Sequence, residues 1–556
     1  MHSVPVIAAF TPVDWGVLAS YFALLVASGV WFSRKEQKDT EDYFLGGRNM
    51  PAWAVAVSIV ATSMSAASFV GVPESSYAGN LTYLATNLGM VIAALIVAFV
   101  FIPAFYRQRV QTIYGLLDRR YGHRAKQAAS VTFMLGRVLA SGARIYIGAI
   151  PASLVLFGVE HGLEPGNLLL AIGVLTFVGI TYTLIGGVAS VIWTDVVQMA
   201  VLLGACVGAI VLILLRLEVP VGEAVSALST GGEDGANKLT LFDWRADPRL
   251  PFTVLTAVVG FTLMGIGSYG TDQDLAQRML TCRNEREGAK SMIAGILMGI
   301  PSVALFLVVG LLLWVFYQRP DMFGAGGPRT ELEDGRQVFL QFILQEMPAG
   351  LTGLMMAGLF AAGLSSLNSA INAMSSAFVT DVYRHVRPGR TEGHYLRVGR
   401  LGVVGWGLVL GGFACVCVYW QGWQFEQGRI ESVTGGSLLV FALTVMTFAY
   451  AGLIGVFLSV LLTPRGNGVS AIAALVVGFL VVLAMQEFTW AAMGTDFDAL
   501  RECAEQTGRT HWQLWLVSLA FPWKLVIGSG LSLAVCQLGP PTPQAGEHAD
   551  IAPTAA

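Results

Sequence analysis

The segment 353–381 has the length and apolar character of a membrane-spanning helix, yet it carries a row of hydroxyl and amide side chains. Ser365, Ser369, Asn372 and Ser376 recur at steps of four, three and four, so a helix places them on one face. A polar face within a bilayer has to meet protein, water or an ion. Hydroxyl and carbonyl oxygens suit a hard cation stripped of water. A packing face is the alternative, because small residues let membrane helices approach closely.

Two arginines lie within a long apolar segment at 127–157. Arg137 and Arg144 are seven residues apart and share one helix face, and the helix rise puts Arg137 about 15 Å into the segment. A cation at that depth needs a carboxylate, a cluster of carbonyl groups or an anionic substrate. A structural pair with a protein acid is the simpler interpretation, and contact with an anionic substrate is the functional one.

Acidic and amide groups interrupt two other apolar segments. Asp195 stands in the segment 191–216, where a carboxylate is costly unless it is paired or hydrated. It is either an interfacial residue about one turn inside the span or a direct or supporting ligand of a cation. Asp272 and Gln273 close the glycine-rich segment 252–276 and are candidates to gate or line a binding site.

Other kinds of chemistry lack a matching pattern in the sequence. The histidines are scattered, and no Cys/His spacing suggests a zinc site. The glycine-rich stretches lack the basic and hydroxyl residues that end a phosphate-binding loop, and no nucleophile–base set is visible. The six cysteines do not resemble a disulfide framework. We therefore expect no catalytic residues, no organic cofactor and no nucleic-acid partner.

The composition identifies the class of protein that holds these groups. Apolar residues make up 55% of the 556 residues and charged residues only 12%, about half of the usual charged share of a soluble domain. Apolar runs recur along the whole chain, which indicates an all-α polytopic membrane protein in a lipid bilayer. We predict about thirteen transmembrane helices, at 14–33, 52–79, 81–105, 127–157, 167–185, 191–216, 252–276, 287–317, 347–382, 398–420, 431–463, 469–487 and 515–538.

The loops between the predicted spans differ in charge. Those at 106–126, 277–290 and 383–400 are rich in arginine and lysine, and they fall on one side if every span crosses once. The loops at 217–251 and 318–346 are longer and richer in acids. The positive-inside rule then places the N-terminus outside and the C-terminus in the cytoplasm, for a protein of the cell (inner) membrane.

Two pairs of unusual spans indicate an internal repeat. The spans 127–157 and 347–382 are too long for an upright crossing, and they lie five spans apart. The spans 52–79 and 252–276 are also five apart, and both are interrupted by glycine, proline or small polar residues. Because five is odd, the two halves have opposite orientations. Paired, interrupted spans in an inverted repeat point to a midplane binding site of a secondary transporter, although glycine and proline are also common in ordinary membrane helices.

Four short motifs occur in a specific order along the chain. They are DYFLGGR at 42–48, the segment GG…WTDVVQ at 186–198, TDQDLAQR at 271–278 and AAGLSSLNS at 361–369, followed by Asp381. In this order and spacing the chain resembles the sodium:solute symporters from about 40 to 465. The resemblance implies a leucine-transporter-type five-plus-five inverted repeat with additional helices, which works by alternating access. The implied regions are an extra N-terminal helix with its cytoplasmic loop (1–51), the first repeat (52–216), an external loop (217–251), the second repeat (252–463), two extra helices (464–538) and a disordered cytoplasmic tail (539–556).

The resemblance also implies a coupling ion, sodium, and a set of ligands for it. The broken first core helix supplies backbone carbonyl groups, which fall on Ala61 and Met64. The eighth core helix supplies one carbonyl group and two hydroxyls, which fall on Ala362, Ser365 and Ser366.

Asp195 matches the family aspartate that supports this region. Some family members bind a second sodium ion with that aspartate and two neighbouring hydroxyl residues. Asn368 and Ser369 hold those two places here, so an amide replaces one hydroxyl and the second ion is left open.

The resemblance is nearer the branch that holds sialic-acid, sugar and anion carriers than the proline branch. The pocket positions of sialic-acid-type carriers fall on side chains that suit a polyhydroxylated or acidic solute, namely Ser63, Ser65, Ser68, Tyr83 and Asn87. That branch uses an arginine on its third core helix for the substrate carboxylate, and Arg137 and Arg144 are both candidates. Gln273 is a further candidate contact.

These features favour sodium-coupled import of a small polar solute, which is sugar-like or an acidic sugar such as sialic acid. We expect the chain to work as a monomer. A non-transporting solute sensor on the same fold is the second hypothesis, which binding without accumulation would support. An integral membrane enzyme that uses Asp195 or Asp272 as acid or base is the third, which turnover of a bound solute would support.

Overall fold

The computed structural model describes residues 10–32, 38–158, 161–232, 235–332, 335, 338–426, 438–507 and 511–541. The disorder predicted for the C-terminal tail concerns mainly 542–556, which lie outside the described residues. Within the described ranges every regular element is helical, which confirms the all-α class.

Short connections join most of the helices. The first twelve are α1 (Pro12–Phe32), α2 (Thr40–Leu45), α3 (Ala52–Ser63), α4 (Ala66–Ala78), α5 (Thr86–Ile96), α6 (Ile102–Arg107), α7 (Gly115–Tyr121), α8 (His123–Phe157), α9 (Pro165–Arg216), α10 (Val221–Ser229), α11 (Val254–Ile266) and α12 (Gln273–Leu280). The others are α13 (Glu285–Gln318), α14 (Val338–Gln345), α15 (Leu351–Ala377), α16 (Arg384–Val386), α17 (Glu392–Glu426), α18 (Leu438–Leu462), α19 (Gly468–Ala484), α20 (Glu487–Ala492), α21 (Phe497–Thr507), α22 (Trp512–Ser518) and α23 (Phe521–Gln537).

Among the described residues, 8 helical segments are long and apolar enough to cross a membrane. Two bent pairs, α3 with α4 and α22 with α23, pass the same test together, with bends of 66° and 103°. Three shorter apolar helices, at Pro12–Ser28, Pro165–Thr181 and Gly468–Ala484, complete a pattern that is compatible with the thirteen predicted spans. The predicted span 515–538 needs correction, because the sharp bend leaves α23 as its membrane-crossing part.

Two central helices are longer than the bilayer requires. α8 has 35 residues, and the continuous segment Leu351–Val386, which contains α15 and α16, has 36. At the rise of an α-helix each is about 50 Å long, against about 30 Å of hydrocarbon, so both tilt or protrude as predicted. They are also the most enclosed of the long apolar segments, with 83% and 89% of their apolar windows buried. Their polar side chains therefore face protein rather than lipid.

The first interrupted span breaks at Met64 and Ser65, which both have extended backbone angles. Ser65 begins α4 through reciprocal hydrogen bonds with Ser68, in which the amide of Ser65 donates to the Ser68 hydroxyl at 3.4 Å. The small polar residues of this span thus cap a new helix. The last carbonyl groups of α3 lose their helical partners at the break and are free to bind a ligand.

The second interrupted span breaks at Asp272. A wide turn at Gly267–Thr271 ends α11, and the Asp272 carboxylate then accepts a hydrogen bond from the Asp274 amide at 2.9 Å to begin α12. Because α12 continues to Leu280, Arg278 is a buried helical residue. Its assignment to a basic loop at 277–290 was therefore wrong.

α9 contains two of the predicted spans, 167–185 and 191–216, joined by a bend at Gly187. This glycine has a φ of 59°, and a Cβ atom there would lie 2.5 Å from the carbonyl oxygen of Tyr43 in α2. Only glycine satisfies both conditions without strain. The second arm of α9 then carries Asp195 about two turns into the protein interior.

Candidate functional site

Oxygen atoms of α3 and α15 converge at the break between α3 and α4. The hydroxyl of Ser366 donates to the carbonyl oxygen of Thr62 at 3.2 Å, which fixes α15 against the last turn of α3. Ala61, Met64 and Ala362 lie within about one turn of this contact along the two helices, and all three are buried. The structure thus brings together the two helices on which the family resemblance implies the sodium ligands.

Asp195 extends this group of oxygens. Its carboxylate accepts hydrogen bonds from Ser365 at 2.6 Å, from Ser58 at 2.5 Å and from the guanidinium of Arg278 at 3.2 Å. These donors belong to α15, α3 and α12, so the carboxylate joins three helices to α9. Asp195 has no exposed surface, and it is a buried anchor rather than an exposed group at the membrane interface.

The direction of these hydrogen bonds decides what the serine oxygens can bind. Ser365 donates its hydroxyl hydrogen to Asp195, and Ser366 donates its hydrogen to Thr62. Each oxygen therefore keeps lone pairs for another ligand. The neighbouring carboxylate adds negative potential. Two serine oxygens in this state, with the carbonyl groups freed at the helix break, fit a sodium ion.

The two candidates for a second cation have different surroundings. Ser369 accepts a hydrogen bond from Arg278 and donates to the carbonyl oxygen of Ser365 at 2.6 Å. The amide oxygen of Asn368 is buried without a donor among the described residues, and a Cβ atom added to Gly179 would lie 3.3 Å from it. The guanidinium of Arg278 thus already supplies a positive charge beside Asp195 and Ser369.

A row of buried ion pairs leads from Asp195 across the bundle. Arg278 pairs with Asp274, one turn earlier in α12, at 3.0 Å. Asp274 also lies 3.1 Å from the guanidinium of Arg137 in α8. Arg137 holds Asp272 in a bidentate contact, with distances of 2.6 Å and 3.1 Å.

The buried charges of this region balance. Asp195, Asp272 and Asp274 contribute three negative charges, and Arg137, Arg278 and Arg144, which lies two turns from Arg137 on α8, contribute three positive ones. A net charge inside a membrane protein is costly unless a counter-ion balances it. The region is therefore balanced before any ion or solute binds.

A cavity of about 140 Å³ opens beside the break of α3 and α4, with room for on the order of ten water molecules. All five residues predicted for the pocket line it, together with both arginines, namely Ser63, Ser65, Ser68, Tyr83, Asn87, Arg137 and Arg144. Hydroxyl, amide, aromatic and cationic groups therefore surround one small space, which suits a polar organic solute.

The two arginines of α8 differ in their partners. Arg137 is neutralised by Asp272 and Asp274, and its side chain is 4% exposed. Of the two interpretations that the sequence left open, these contacts correspond to the structural pair with a protein acid. Arg144 contacts the sulfur of Met446 through Nη2 at 3.0 Å, and its Nε is buried without an acceptor among the described residues. Because a thioether is a weak acceptor, Arg144 keeps donors for an anion in the cavity.

Gln273 does not lie where its predicted role requires. Its side chain is fully buried, its Oε1 accepts a hydrogen bond from the amide of Ile113 at 2.9 Å, and it is not part of the cavity lining. The side chain joins α12 to the loop before α7, and its position gives no support to the predicted substrate contact.

The polar face of α15 combines both interpretations of its pattern. Ser365 and Ser366 belong to the oxygen cluster, but Asn372 accepts a hydrogen bond from Gln277 at 2.9 Å, and Ser375 donates to the carbonyl oxygen of Gly399 at 2.6 Å. One end of the stripe thus faces the candidate cation site, and the other holds α12 and α17.

Sequence reasoning did not select several residues of the site. Arg278 and Asp274 are four apart in TDQDLAQR, a spacing that forms an ion pair on a helix, but α12 was not predicted to extend that far. Ser58 and Tyr450, which donate to Asp195 and Asp272, carry no local signal, because their partners are remote in sequence.

Comparisons with known proteins agree with this arrangement. The model of the sodium:solute symporter family matches residues 43–478. The human sodium/iodide cotransporter is 29% identical over 506 residues, which cover 89% of this chain and 71% of that protein. The sodium/sialic acid symporter SiaT of Proteus mirabilis (strain HI4320) is 28% identical over 487 residues, which cover 85% of this chain and 89% of that protein.

A solved structure shows the same fold. It is the substrate-bound, outward-open state of a sodium-coupled sialic acid symporter. Its superposition on this chain has a TM-score of 0.74 and 24% sequence identity, and it covers 96% of this chain and 100% of that chain. The predicted polytopic fold of the leucine-transporter type is confirmed, whereas the residue bounds of its two repeats stay a prediction. The chain is an integral membrane protein that belongs to the sodium:solute symporter family.

Proposed function

We propose that the chain imports a small, polar and acidic solute together with sodium, by alternating access of the cavity to the two sides of the cell (inner) membrane. Sodium is the coupling ion of the family. The observation that carries the proposal for the solute is the cavity itself, where hydroxyl and amide groups stand with a cation that lacks a carboxylate partner among the described residues.

The proposed sodium ion binds between α3 and α15, to the carbonyl oxygens of Ala61, Met64 and Ala362 and the hydroxyl oxygens of Ser365 and Ser366. The freed carbonyl groups at the helix break and the outward-pointing lone pairs of the two serines support this set. Asp195 supports the site by orienting Ser365 and by its charge.

We assign one sodium ion to each solute, because Arg278 already contacts two of the three groups that a second ion would use. Its guanidinium contacts both Asp195 and Ser369.

Sodium that moves inward gains about 2.3 kcal/mol per 100 mV and about 1.4 kcal/mol from a tenfold gradient. If the solute carries one negative charge, the transported pair is neutral, so only the concentration gradient drives it and accumulation reaches about tenfold. A neutral solute would reach roughly 500-fold.

The solute is proposed to be sugar-like, with sialic acid as the leading example. The sialic acid and iodide that the relatives are named for are anions, and Arg144 provides a guanidinium for a carboxylate. Ser63, Ser65, Ser68 and Asn87 offer hydroxyl and amide groups, and Tyr83 offers an aromatic face for a sugar ring.

The orientation and the assembly state are also part of the proposal. The basic loops at 106–126 and 383–400 support the proposal that the end of the bundle on which they lie faces the cytoplasm, which places the N-terminus outside. A functional monomer is the assembly state that we propose.

Uptake into proteoliposomes tests the function directly. We expect labelled sialic acid to accumulate when sodium is higher outside than inside, and not when potassium replaces sodium. With the voltage clamped by valinomycin, accumulation of the monoanion should not depend on voltage. Saturable binding without accumulation under every gradient would indicate a sensor, and chemical conversion of the solute would indicate an enzyme.

Ser365→Ala should weaken sodium binding, because a cation would lose one hydroxyl ligand. The loss of a polar contact with a charge is worth about 1.5–3 kcal/mol, so the sodium concentration for half-maximal stabilisation should rise roughly ten- to 150-fold. The measurement is the thermal midpoint of the purified protein as a function of sodium concentration. Ser375→Ala is the matched control, since Ser375 lies on the same helix but bonds to Gly399. Equal sodium curves for the two variants would argue that the serine face only packs helices.

Arg144→Lys should weaken binding of an acidic solute by about tenfold or more, because the ammonium keeps the charge but loses the planar fork. Sodium-induced stabilisation should be unchanged. The measurement is the concentration of sialic acid for half-maximal uptake, beside that of any neutral sugar the protein accepts. Arg137→Ala is the contrasting variant, since it leaves Asp272 and Asp274 without their partner and should reduce the yield of folded protein. Unchanged uptake of acidic solutes in Arg144→Lys would remove the arginine from the solute site.

Cys503 should react with an impermeant thiol reagent from outside intact cells, because it is exposed on α21. This helix lies between the twelfth and thirteenth predicted spans, a connection that is external if the N-terminus is outside and every span crosses once. Gly393→Cys in a Cys503→Ser background should react only after the membrane is opened, since Gly393 is exposed in the first turn of α17, within the predicted basic segment 383–400, and has open space around it. Mass-shift labelling measures both. Labelling of both positions from the same side would overturn the proposed orientation.

A further inference from the structure

Three segments meet away from the solute cavity, at the end of the bundle that carries the basic loops. Asp118 lies on α7, His123 is the first residue of α8 and His385 lies on α16. One ligand atom from each of the three side chains lies within 4.8 Å of the other two. The histidines are 262 positions apart in sequence, so no local spacing reveals the cluster.

The two histidines are in direct contact. Their rings stack with centroids 3.4 Å apart and planes inclined by 29°. Nδ1 of His123 is buried and has no hydrogen-bond partner among the described residues. A buried ring nitrogen without a partner is costly, and a metal ion is one ligand that would satisfy it.

Asp118 is available to join the histidines. Its nearest cation, Lys126, is 3.6 Å away, longer than a hydrogen bond, whereas the same ammonium lies closer to Asp381, at 3.3 Å. The Asp118 side chain is 35% exposed and lines an open cavity with Lys126, Gln108 and Arg119. An ion can therefore reach the carboxylate from solvent.

We propose that Asp118, His123 and His385 form a binding site for a divalent transition metal of the zinc class. Two imidazoles and one carboxylate are a ligand set that suits Zn²⁺, Co²⁺ or Ni²⁺ and does not suit Ca²⁺ or Mg²⁺, which prefer oxygen ligands alone. Tetrahedral ligands of zinc are about 3.3 Å apart, so rotation of the side chains has to bring the ligand atoms together by about 1.5 Å. Water would complete the coordination.

A metal at this position would link two parts of the chain. Lys126 already joins α8 to Asp381, which lies in the continuous helical segment from α15 to α16. The metal adds a second link between the same elements, through His123 and His385. Because α15 also carries the proposed sodium oxygens, the link holds that helix at its far end.

Zinc binding to the purified, sodium-loaded protein tests the site. We expect one equivalent of Zn²⁺ to raise the thermal midpoint, and His123→Ala and His385→Ala each to weaken Zn²⁺ binding by at least about tenfold. His511→Ala is the control, because His511 is an exposed histidine just before α22, beside Trp512 and outside the cluster. His385 is exposed, so its replacement should not prevent folding.

Cobalt provides an independent readout that does not depend on stability. Co²⁺ bound by two histidines and a carboxylate should give visible d–d absorption without a thiolate charge-transfer band, since no cysteine belongs to the cluster. The absorption should disappear in His385→Ala and persist in His511→Ala. The proposal is wrong if Zn²⁺ produces no shift, or if the shift and the Co²⁺ spectrum survive in both cluster variants.

Discussion

The contact between Arg278 and Asp195 determines how the interior of this protein is arranged. Arg278 extends from α12 to reach Asp195 on α9 and the hydroxyl groups of Ser58 and Ser369 on α3 and α15. A charged pair in a membrane interior is tolerated only when every polar group around it is satisfied. The positions of four helices are therefore tied to one guanidinium group, and the break before α12 exists because Asp272 caps the helix that carries it.

The same row of charges connects the two halves of the site. Asp274 pairs with both Arg278 and Arg137, so the region that holds the oxygen cluster and the wall of the solute cavity share one network. A cation bound beside Asp195 changes the potential that Arg278 and Asp274 experience, and the effect extends to Arg137 through contacts of about 3 Å. Coupling between ion and solute has a physical route here that needs no large rearrangement of the side chains between them.

The sequence predicts the elements of this protein better than the contacts between them. Apolar runs, the two interrupted spans and the long α8 and α15 segments are local patterns, and they appear in the structure where they were expected. The lining of the cavity by Ser63, Tyr83 and Asn87 followed from a family resemblance rather than from spacing. Two features could not be predicted because they depend on groups more than a hundred residues away, namely the pairing of Arg137 with Asp272 and the position of Gln273. The end of α12 could not be predicted because the apolar pattern does not mark this helix boundary.

The order of the partners along the chain has a consequence for biosynthesis. Arg137 is made 135 residues before Asp272, and Asp195 is made 83 residues before Arg278. At about 5–20 residues per second, α8 waits roughly 7–27 s for its carboxylate partner. During that time an arginine near the middle of the helix costs about 2.5–3.5 kcal/mol on the scale of membrane insertion. The first half of the protein therefore has to remain beside the insertion machinery, or be held by water and lipid headgroups, until α12 is synthesised and can close the ion pairs.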